Sequence, residues 1–439
     1  MKKSGKKGIS KYFKAPARAK ASMAVMGLSQ ILQGQWAKGL LYMAVLVFYV
    51  VFLVLTGARD IAGFFTLGTV EGDAWAGIVG DDSVMMMLRG IIAYVITAFV
   101  IGFHISNIKD AYASEERLGK GLALASFPEA VRAFFDKKFY VVALAVPVVG
   151  VVIFNIMPII FMILIAFTNY GGDIVPPKLV DWVGLENFKK LLVLKELKAT
   201  FAKIIGWNFV WAVSATVINY FGGLLLALLL NKKCVKGRVF WRSFPVIAYA
   251  VPGFITFLAF KFMFCYGGPI NYYITSAGGS AIGFLDMDAG IKAKLIGLFV
   301  NAWISIPTSM LLATGILSNM NTDLYDAAAI DGASSFKQFT KITLPYVVFS
   351  TTPVLITSFI GNFNNFGVFY FLRSGQYTDG YFLASDTDLL INWLYNLTYS
   401  NNYYNLGAAI SLIIFMITSV ISLAVYVNSK AYKKEDTFR

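Results

Sequence analysis

The sequence is poor in charge, histidine and cysteine. Only 14% of the 439 residues are charged, whereas 58% are apolar. A soluble domain has about 25% charged residues. A soluble chain could not bury this much apolar surface, so these proportions exclude a cytosolic enzyme, a disordered chain and a coiled coil, and indicate a membrane protein. The 38 Lys and Arg outnumber the 24 Asp and Glu, but they flank apolar runs, so we expect no nucleic-acid partner.

The single histidine, His104, and the two cysteines, Cys234 and Cys265, exclude several kinds of chemistry. Two cysteines make no disulfide framework. A zinc site of His and Cys ligands needs more such residues than the chain offers. His104 ends an apolar run, so an interfacial role explains it better than a catalytic triad. We expect no metal, no cofactor bound by this chain and no enzymatic activity.

Eight apolar runs approach the length of about 20 residues that a helix needs to cross a bilayer. They cover residues 40–56, 90–104, 141–167, 208–230, 244–260, 295–317, 347–371 and 406–427. The sequence therefore predicts an all-α polytopic membrane protein with about eight transmembrane helices. An amphipathic segment at 23–35 is expected to lie at the membrane interface.

The basic residues predict the orientation of these spans. Lys and Arg gather in the N-terminal tail, in the loops after the second and fourth spans, and in the C-terminal tail. Positive charge favours the cytoplasmic side, so we expect a multi-pass cell-membrane protein with both termini in the cytoplasm. The stretch 168–206 disagrees, because it should be external and yet carries six lysines.

The spans, as drawn, contain no Asp, Glu, Lys or Arg. A proton-coupled transporter usually keeps an ionisable relay inside the membrane, so this absence argues against one, while sodium coupling through carbonyl groups stays open. The chain also has no G-x-x-x-x-G-K-[ST] sequence for ATP phosphates. If ATP drives this protein, another subunit must bind it.

Neutral polar residues recur in the sixth and seventh spans. Their helical spacing predicts one polar face on each span. The candidate residues are Ser358, Gly361, Asn362 and Asn365 on the seventh span, and Asn301, Ser305 and Thr308 on the sixth. Amides and hydroxyls beside aromatic rings suit an uncharged, hydroxyl-rich ligand. The same residues could instead join helices to one another, as they commonly do in membranes.

Residues 323–345, between the sixth and seventh spans, carry the most specific pattern in the chain. Small residues at 327–329 suit a short helix that another surface can approach closely. Gly332 suits a turn after that helix, and Leu344-Pro345 suits re-entry into the membrane. The residues alone predict a helix–turn–helix in a cytoplasmic loop.

This segment resembles the EAA loop of ABC-importer permeases, E-A-A-x3-G-x9-I-x-L-P. The matching residues are Asp326, Ala327, Ala328, Gly332, Ile342, Leu344 and Pro345. Asp326 replaces the family's Glu, which keeps the charge and shortens its reach. The resemblance implies that residues 323–336 form a coupling helix that docks on an ATPase subunit.

The wider sequence is similar to MalF-type permeases of binding-protein-dependent sugar importers, of the Gram-positive maltose and maltodextrin type. The resemblance implies three regions. Residues 1–139 would form a basic cytoplasmic tail, an interfacial segment and two transmembrane helices. Residues 140–429 would form a six-helix type I importer core (MetI/MalF-like) that contains the EAA loop at 323–345, and residues 430–439 would form a cytoplasmic tail. The resemblance implies that the sugar contacts Ser358, Asn362 and Asn365 on the seventh span. It supports less directly a sugar contact of Asn301, Ser305 and Thr308 on the sixth. Gly361 replaces an aromatic residue of the family, and the external loop after the third span is much shorter than in enteric members.

The resemblance implies a maltose or maltodextrin permease. Its implied partners are a second permease subunit, two ATPase subunits that use the ATP, and a lipid-anchored extracellular binding protein. Three alternatives stay open. They are a permease for another oligosaccharide such as galacto-oligosaccharides, a stand-alone sodium-coupled carrier, and a membrane scaffold without transport activity.

Overall fold

The computed structural model describes residues 16–73, 75–137, 139–232 and 234–428. The basic stretch at 1–15 and the predicted tail at 430–439 lie outside the described residues. Within the described residues the chain is helical. Its β-structure there consists of three isolated β-bridges, without an extended strand. Eight helices are long and apolar enough to cross a membrane. The predicted all-α architecture with eight spans is therefore confirmed.

The chain divides into two compact units, residues 1–184 and 185–439. The first unit contains α1 Ala17–Ala24, α2 Leu28–Leu32, α3 Trp36–Thr66, α4 Ser83–Gly119, α5 Phe127–Lys137 and α6 Phe139–Ile165. The third span, α6, packs against α4 of the same unit. The six-helix importer core predicted at 140–429 rests on family resemblance rather than on contacts, and it stays a prediction.

Polar side chains fasten the short helices of the first unit to α4. Gln30 donates to the carbonyl of Asn107 at 3.2 Å and to Asp110 at 3.1 Å. Lys38, in the first turn of α3, lies 2.6 Å from the same carboxylate. The predicted amphipathic segment at 23–35 is interrupted between α1 and α2, where Gly27 has a positive φ of 85°. Its place at the membrane interface stays a prediction.

The second unit begins with α7 Glu186–Val193, α8 Lys195–Asn231, α9 Arg238–Ala250, α10 Gly253–Phe264, α11 Pro269–Ser276 and α12 Ile291–Ser318. It continues with α13 Asp323–Ile330, α14 Ser335–Gln338, α15 Leu344–Phe363, α16 Gly367–Arg373, α17 Leu390–Tyr395 and α18 Tyr404–Asn428. The fifth predicted span, 244–260, crosses an interruption between α9 and α10. Pro252 stands there because proline cannot donate a helical hydrogen bond.

The core of the second unit forms where α8 lies along α12. A Cβ atom at Gly223 of α8 would lie 2.4 Å from the Ser309 Cβ of α12, so only glycine permits this approach. One apolar cluster surrounds the buried Trp211 and Phe369. A second surrounds Leu224, where Met310, Val347 and other side chains meet. This packing positions the sixth and seventh spans and the segment between them.

Candidate coupling segment and substrate pathway

The candidate coupling segment, residues 319–343 and called the coupling segment below, connects the end of α12 to the start of α15. Its helix α13 ends at Ile330, so the expected coupling helix at 323–336 is two helices rather than one. Gly332 lies between them with a φ of 73°, a left-handed conformation that favours glycine. The Ser334 hydroxyl accepts from the backbone N–H of Lys337 and caps α14.

The residues of the EAA pattern differ in their exposure. Asp326, Ala327 and Gly332 are exposed, and Ala328 is half-buried. Ile342 and Leu344 are half-buried against the apolar cluster around Leu224, and Pro345 is exposed at the start of α15. The structure thus separates an exposed half of the pattern from a half that packs on the core.

Three large apolar side chains of the segment are exposed: Leu324 at 51%, Ile330 at 88% and Phe336 at 75%. Exposed side chains of this size suit contact with another surface. The sequence analysis did not select them. Apolar residues at the ends of a polar loop helix would have been the signal.

Tyr325 anchors the exposed helix to the core. Its hydroxyl lies 2.8 Å from the Thr343 hydroxyl and 3.4 Å from the Met320 sulfur. Its ring packs against the apolar cluster around Leu224. Tyr325 therefore links α13 directly to the residue that precedes α15.

The seventh span breaks between α15 and α16, at residues 364–366. Three carbonyls near this break accept hydrogen bonds from distant side chains. Asn208 Nδ2 donates to Phe363 at 3.1 Å, Trp211 Nε1 to Asn362 at 3.1 Å, and Asn392 Nδ2 to Phe366 at 2.9 Å. A broken helix is tolerated inside a membrane when its freed groups find such partners.

The predicted polar face of the seventh span is only partly present. Helix α15 ends at Phe363, so Asn365 lies beyond it and does not share its face. Asn362 is buried and donates to the Thr216 hydroxyl at 3.0 Å, whereas Ser358 is exposed. The Asn362 amide therefore joins the seventh span to the fourth in this conformation.

The sixth span meets the break through Asn301. Its Oδ1 accepts from Asn365 Nδ2 at 3.2 Å, while its own Nδ2 is buried without a partner among the described residues. Ser305 is half-buried and Thr308 is exposed. The structure thus brings Asn301 and Asn365 together and leaves Thr308 and Ser358 accessible.

Arg373, at the other end of α16, is a buried residue that the sequence analysis missed. Its side chain is 0% exposed and lies 2.8 Å from the Asp386 carboxylate. It also donates to the Thr387 hydroxyl at 2.9 Å and to the carbonyls of Asp286 and Met287 at 2.8 and 3.1 Å. The guanidinium thus ties α16 to the loop that follows it and to the loop that precedes α12. Its charge ended an apolar run and gave no sign of burial.

Asp388 lies close to this arginine. Burial raises the pKa of its carboxyl to about 7, although hydrogen bonds and the charge of Arg373 act in the opposite direction. The carboxylate accepts from the backbone N–H of Ser385 at 2.9 Å and from Asn396 Nδ2 at 3.0 Å.

Comparison with known proteins identifies the family. Residues 219–432 match the family described as the inner membrane component of binding-protein-dependent transport systems. The chain is 30% identical to the maltodextrin transport system permease protein MalC of Streptococcus pneumoniae, over 98% of this chain and 100% of that one. The chain belongs to this permease family. It is therefore a MalF-like permease of the sugar ABC importers and a multi-pass membrane protein.

A second relative and a solved structure extend the comparison. The galactooligosaccharides transport system permease protein GanP of Bacillus subtilis is 32% identical over 94% of this chain and 97% of its own length. A chain of a bacterial ABC transporter that imports the acidic polysaccharide alginate superposes with a TM-score of 0.56. It has 20% sequence identity and covers 69% of this permease and 99% of the alginate chain. The relatives are transport permeases rather than enzymes.

Proposed function

We propose that this permease imports maltose and maltodextrins. The observation that carries the proposal is the full-length similarity to the pneumococcal maltodextrin permease. Such a ligand agrees with the candidate polar residues of the sixth and seventh spans around the break, because they are amides and hydroxyls without a charged side chain.

The polar residues around the break would contact the sugar. Ser358 and Thr308 offer hydroxyls on accessible surface, and Ser305 is half-exposed. Asn362 and Asn365 would reach a ligand by exchanging their bonds to Thr216 and Asn301 for bonds to sugar hydroxyls. The free Asn301 Nδ2 adds a donor at this point.

The coupling segment would dock on an ATPase subunit. Closure of the ATPase pair on ATP would displace α13 and, through Tyr325, the inner end of the seventh span. The ATPase supplies the driving force by its different affinities for the two conformations of the permease. A second permease and a lipid-anchored external binding protein would complete the importer, and both termini of this chain would face the cytoplasm.

Uptake of labelled maltotriose tests this function. Cells would carry the permease with its partners, as the wild type or as the Asn362→Ala/Asn365→Ala variant. We expect the wild type to import the sugar and the variant to import poorly while the complex assembles and hydrolyses ATP. Cysteines along 323–336 should cross-link to the ATPase, and a scan without any cross-link would exclude docking through this segment.

A galacto-oligosaccharide permease is the second candidate, because the permease GanP matches the chain over a similar length. Import of a galactose trisaccharide without import of maltotriose would favour it. Uptake by the purified permease in liposomes without an ATPase would instead favour a stand-alone carrier.

A further inference from the structure

Four aromatic rings cluster where the break in the seventh span and the following helix α16 meet the segment 395–399. Phe366 and Tyr370 stack with ring centroids 4.5 Å apart. Tyr395 lies 5.2 Å from Phe366 and 5.3 Å from Tyr370, and Tyr399 stacks on Tyr395 at 4.9 Å with 20° between the planes. We name these four rings the aromatic array.

The backbone holds the array in place. Asn392, in the helix that carries Tyr395, donates to the carbonyl of Phe366. The backbone N–H of Leu390 donates to Asn208 on the fourth span at 3.0 Å. A π-helical turn at Asn396–Ser400 then presents Tyr399 on the same side as Tyr395. Such turns are frequent at functional sites.

The array runs from the interior to the surface. Phe366, Tyr370 and Tyr395 are half-buried, whereas 75% of Tyr399 is exposed. One ring face of Tyr399 lies on Tyr395, so the opposite face is open to a planar, partly apolar ligand. Such a ligand would extend the row of rings by one more layer.

The inner end of the array adjoins the break. Phe366 follows Asn365 directly, and the segment that carries Tyr399 reads Tyr-Asn-Leu-Thr-Tyr-Ser-Asn-Asn-Tyr-Tyr-Asn from 395 to 405. A pyranose ring has an apolar face of C–H groups, which packs on an aromatic ring, and a rim of hydroxyls, which bonds to amides. The array therefore has aromatic rings for the apolar face of a pyranose and nearby amides for its hydroxyls.

We propose that the aromatic array is an outer subsite for a further pyranose ring of an oligosaccharide whose inner rings contact the region of Asn365. The inference rests on the proposed function. It adds that this subunit favours longer chains over shorter ones, because only a chain long enough to reach Tyr399 gains the stacking contact with its open face.

The test uses the complete importer and measures uptake rates at sub-saturating concentrations of short and long oligosaccharides of glucose and of galactose, where a change in binding alters the rate. Tyr399→Ala should lower the ratio of the long-chain rate to the short-chain rate by about five- to tenfold. Tyr399→Phe keeps the ring and should keep the ratio. Tyr273→Ala is the matched control, since Tyr273 is 73% exposed on α11 of the same unit.

An unchanged ratio in Tyr399→Ala would overturn the subsite, and so would an equal fall in Tyr273→Ala. Assembly and ATP hydrolysis of each variant are measured alongside, so that misfolding is recognised. Failure of the proposed function is seen separately, in a wild type that imports neither glucose nor galactose oligosaccharides. That result would remove the subsite as well, since no sugar would be left to occupy it.

Discussion

The hydroxyl oxygens of Tyr325 and Thr343 lie 2.8 Å apart and join the exposed coupling helix to the start of the seventh span. Tyr325 is on α13, and Thr343 immediately precedes α15. The contact closes at its base a loop whose ends are 18 positions apart in the sequence. If the segment couples to an ATPase, this contact is the point at which a displacement of α13 would act on the seventh span.

Removal of this hydrogen bond should weaken coupling. Tyr325→Phe and Thr343→Val each lose a bond worth about 1 kcal/mol, so less sugar should enter for each ATP hydrolysed. Uptake and ATP hydrolysis are measured together in proteoliposomes that contain the whole importer. The double variant should resemble the single ones, since all three lack the same bond. Tyr346→Phe serves as the control, and an equal effect there would contradict the assignment.

Ile330 should contribute to docking. It is 88% exposed, so Ile330→Ser should leave the stability of the permease unchanged while the affinity for the ATPase falls by about 1–2 kcal/mol. Copurification of the ATPase with the tagged permease measures the effect. Val239→Ser is the matched control, because Val239 is 82% exposed at the start of α9. Normal copurification of the Ile330 variant would count against docking at this residue.

Loss of the buried arginine should destabilise the second unit. Arg373→Met leaves the Asp386 carboxylate and two carbonyls without their donor, which costs about 3–5 kcal/mol. Thermal unfolding in detergent should show a large decrease in melting temperature. The comparison is Lys190→Met, which breaks an exposed pair with Glu186 at 3.1 Å and should change stability by less than about 1 kcal/mol. Equal decreases would show that burial of the ion pair is unimportant.

Asp388 should make stability depend on pH. Its pKa is about 7 in the folded protein and near 4 in an unfolded chain, so the folded state holds the proton more tightly. Stability should therefore fall as pH rises from about 4 to about 7, and then level off. Asp388→Asn should remove this fall and stabilise the protein above pH 7 by about 2–4 kcal/mol. Unfolding curves of both proteins across this range provide the test. Parallel pH profiles would contradict the raised pKa.

The number of spans was predictable from the sequence because the length and hydropathy of each apolar run are local properties. The turn at Gly332 was predictable for a similar reason, since its signals lie within a few residues. The break in the seventh span was not, because its stability depends on Asn208, which lies 155 positions from its acceptor Phe363. A helix break inside a continuous apolar run has no local sequence signal. The prediction that Asn365 shares a helix face with Ser358 and Asn362 was therefore wrong.

The buried polar groups were the other features beyond prediction. The sequence offered Asn362 as a ligand or as a link between helices, and only the position of Thr216 decides which role it has in this conformation. Arg373 looked like an ordinary charge at a span end. Its burial depends on carbonyls from residues 286 and 287, which come close only when the helices are packed.

The break at 364–366 makes the seventh span two rods in series rather than one. One rod, α15, starts at the coupling segment, and the other, α16, is held by hydrogen bonds of Arg373 and Asn392. The joint between them accepts hydrogen bonds from Asn208 and Trp211 of the fourth span. We expect a displacement of α13 to reach α15 first and to bend the span at this joint, beside Asn365, while α16 keeps its contacts.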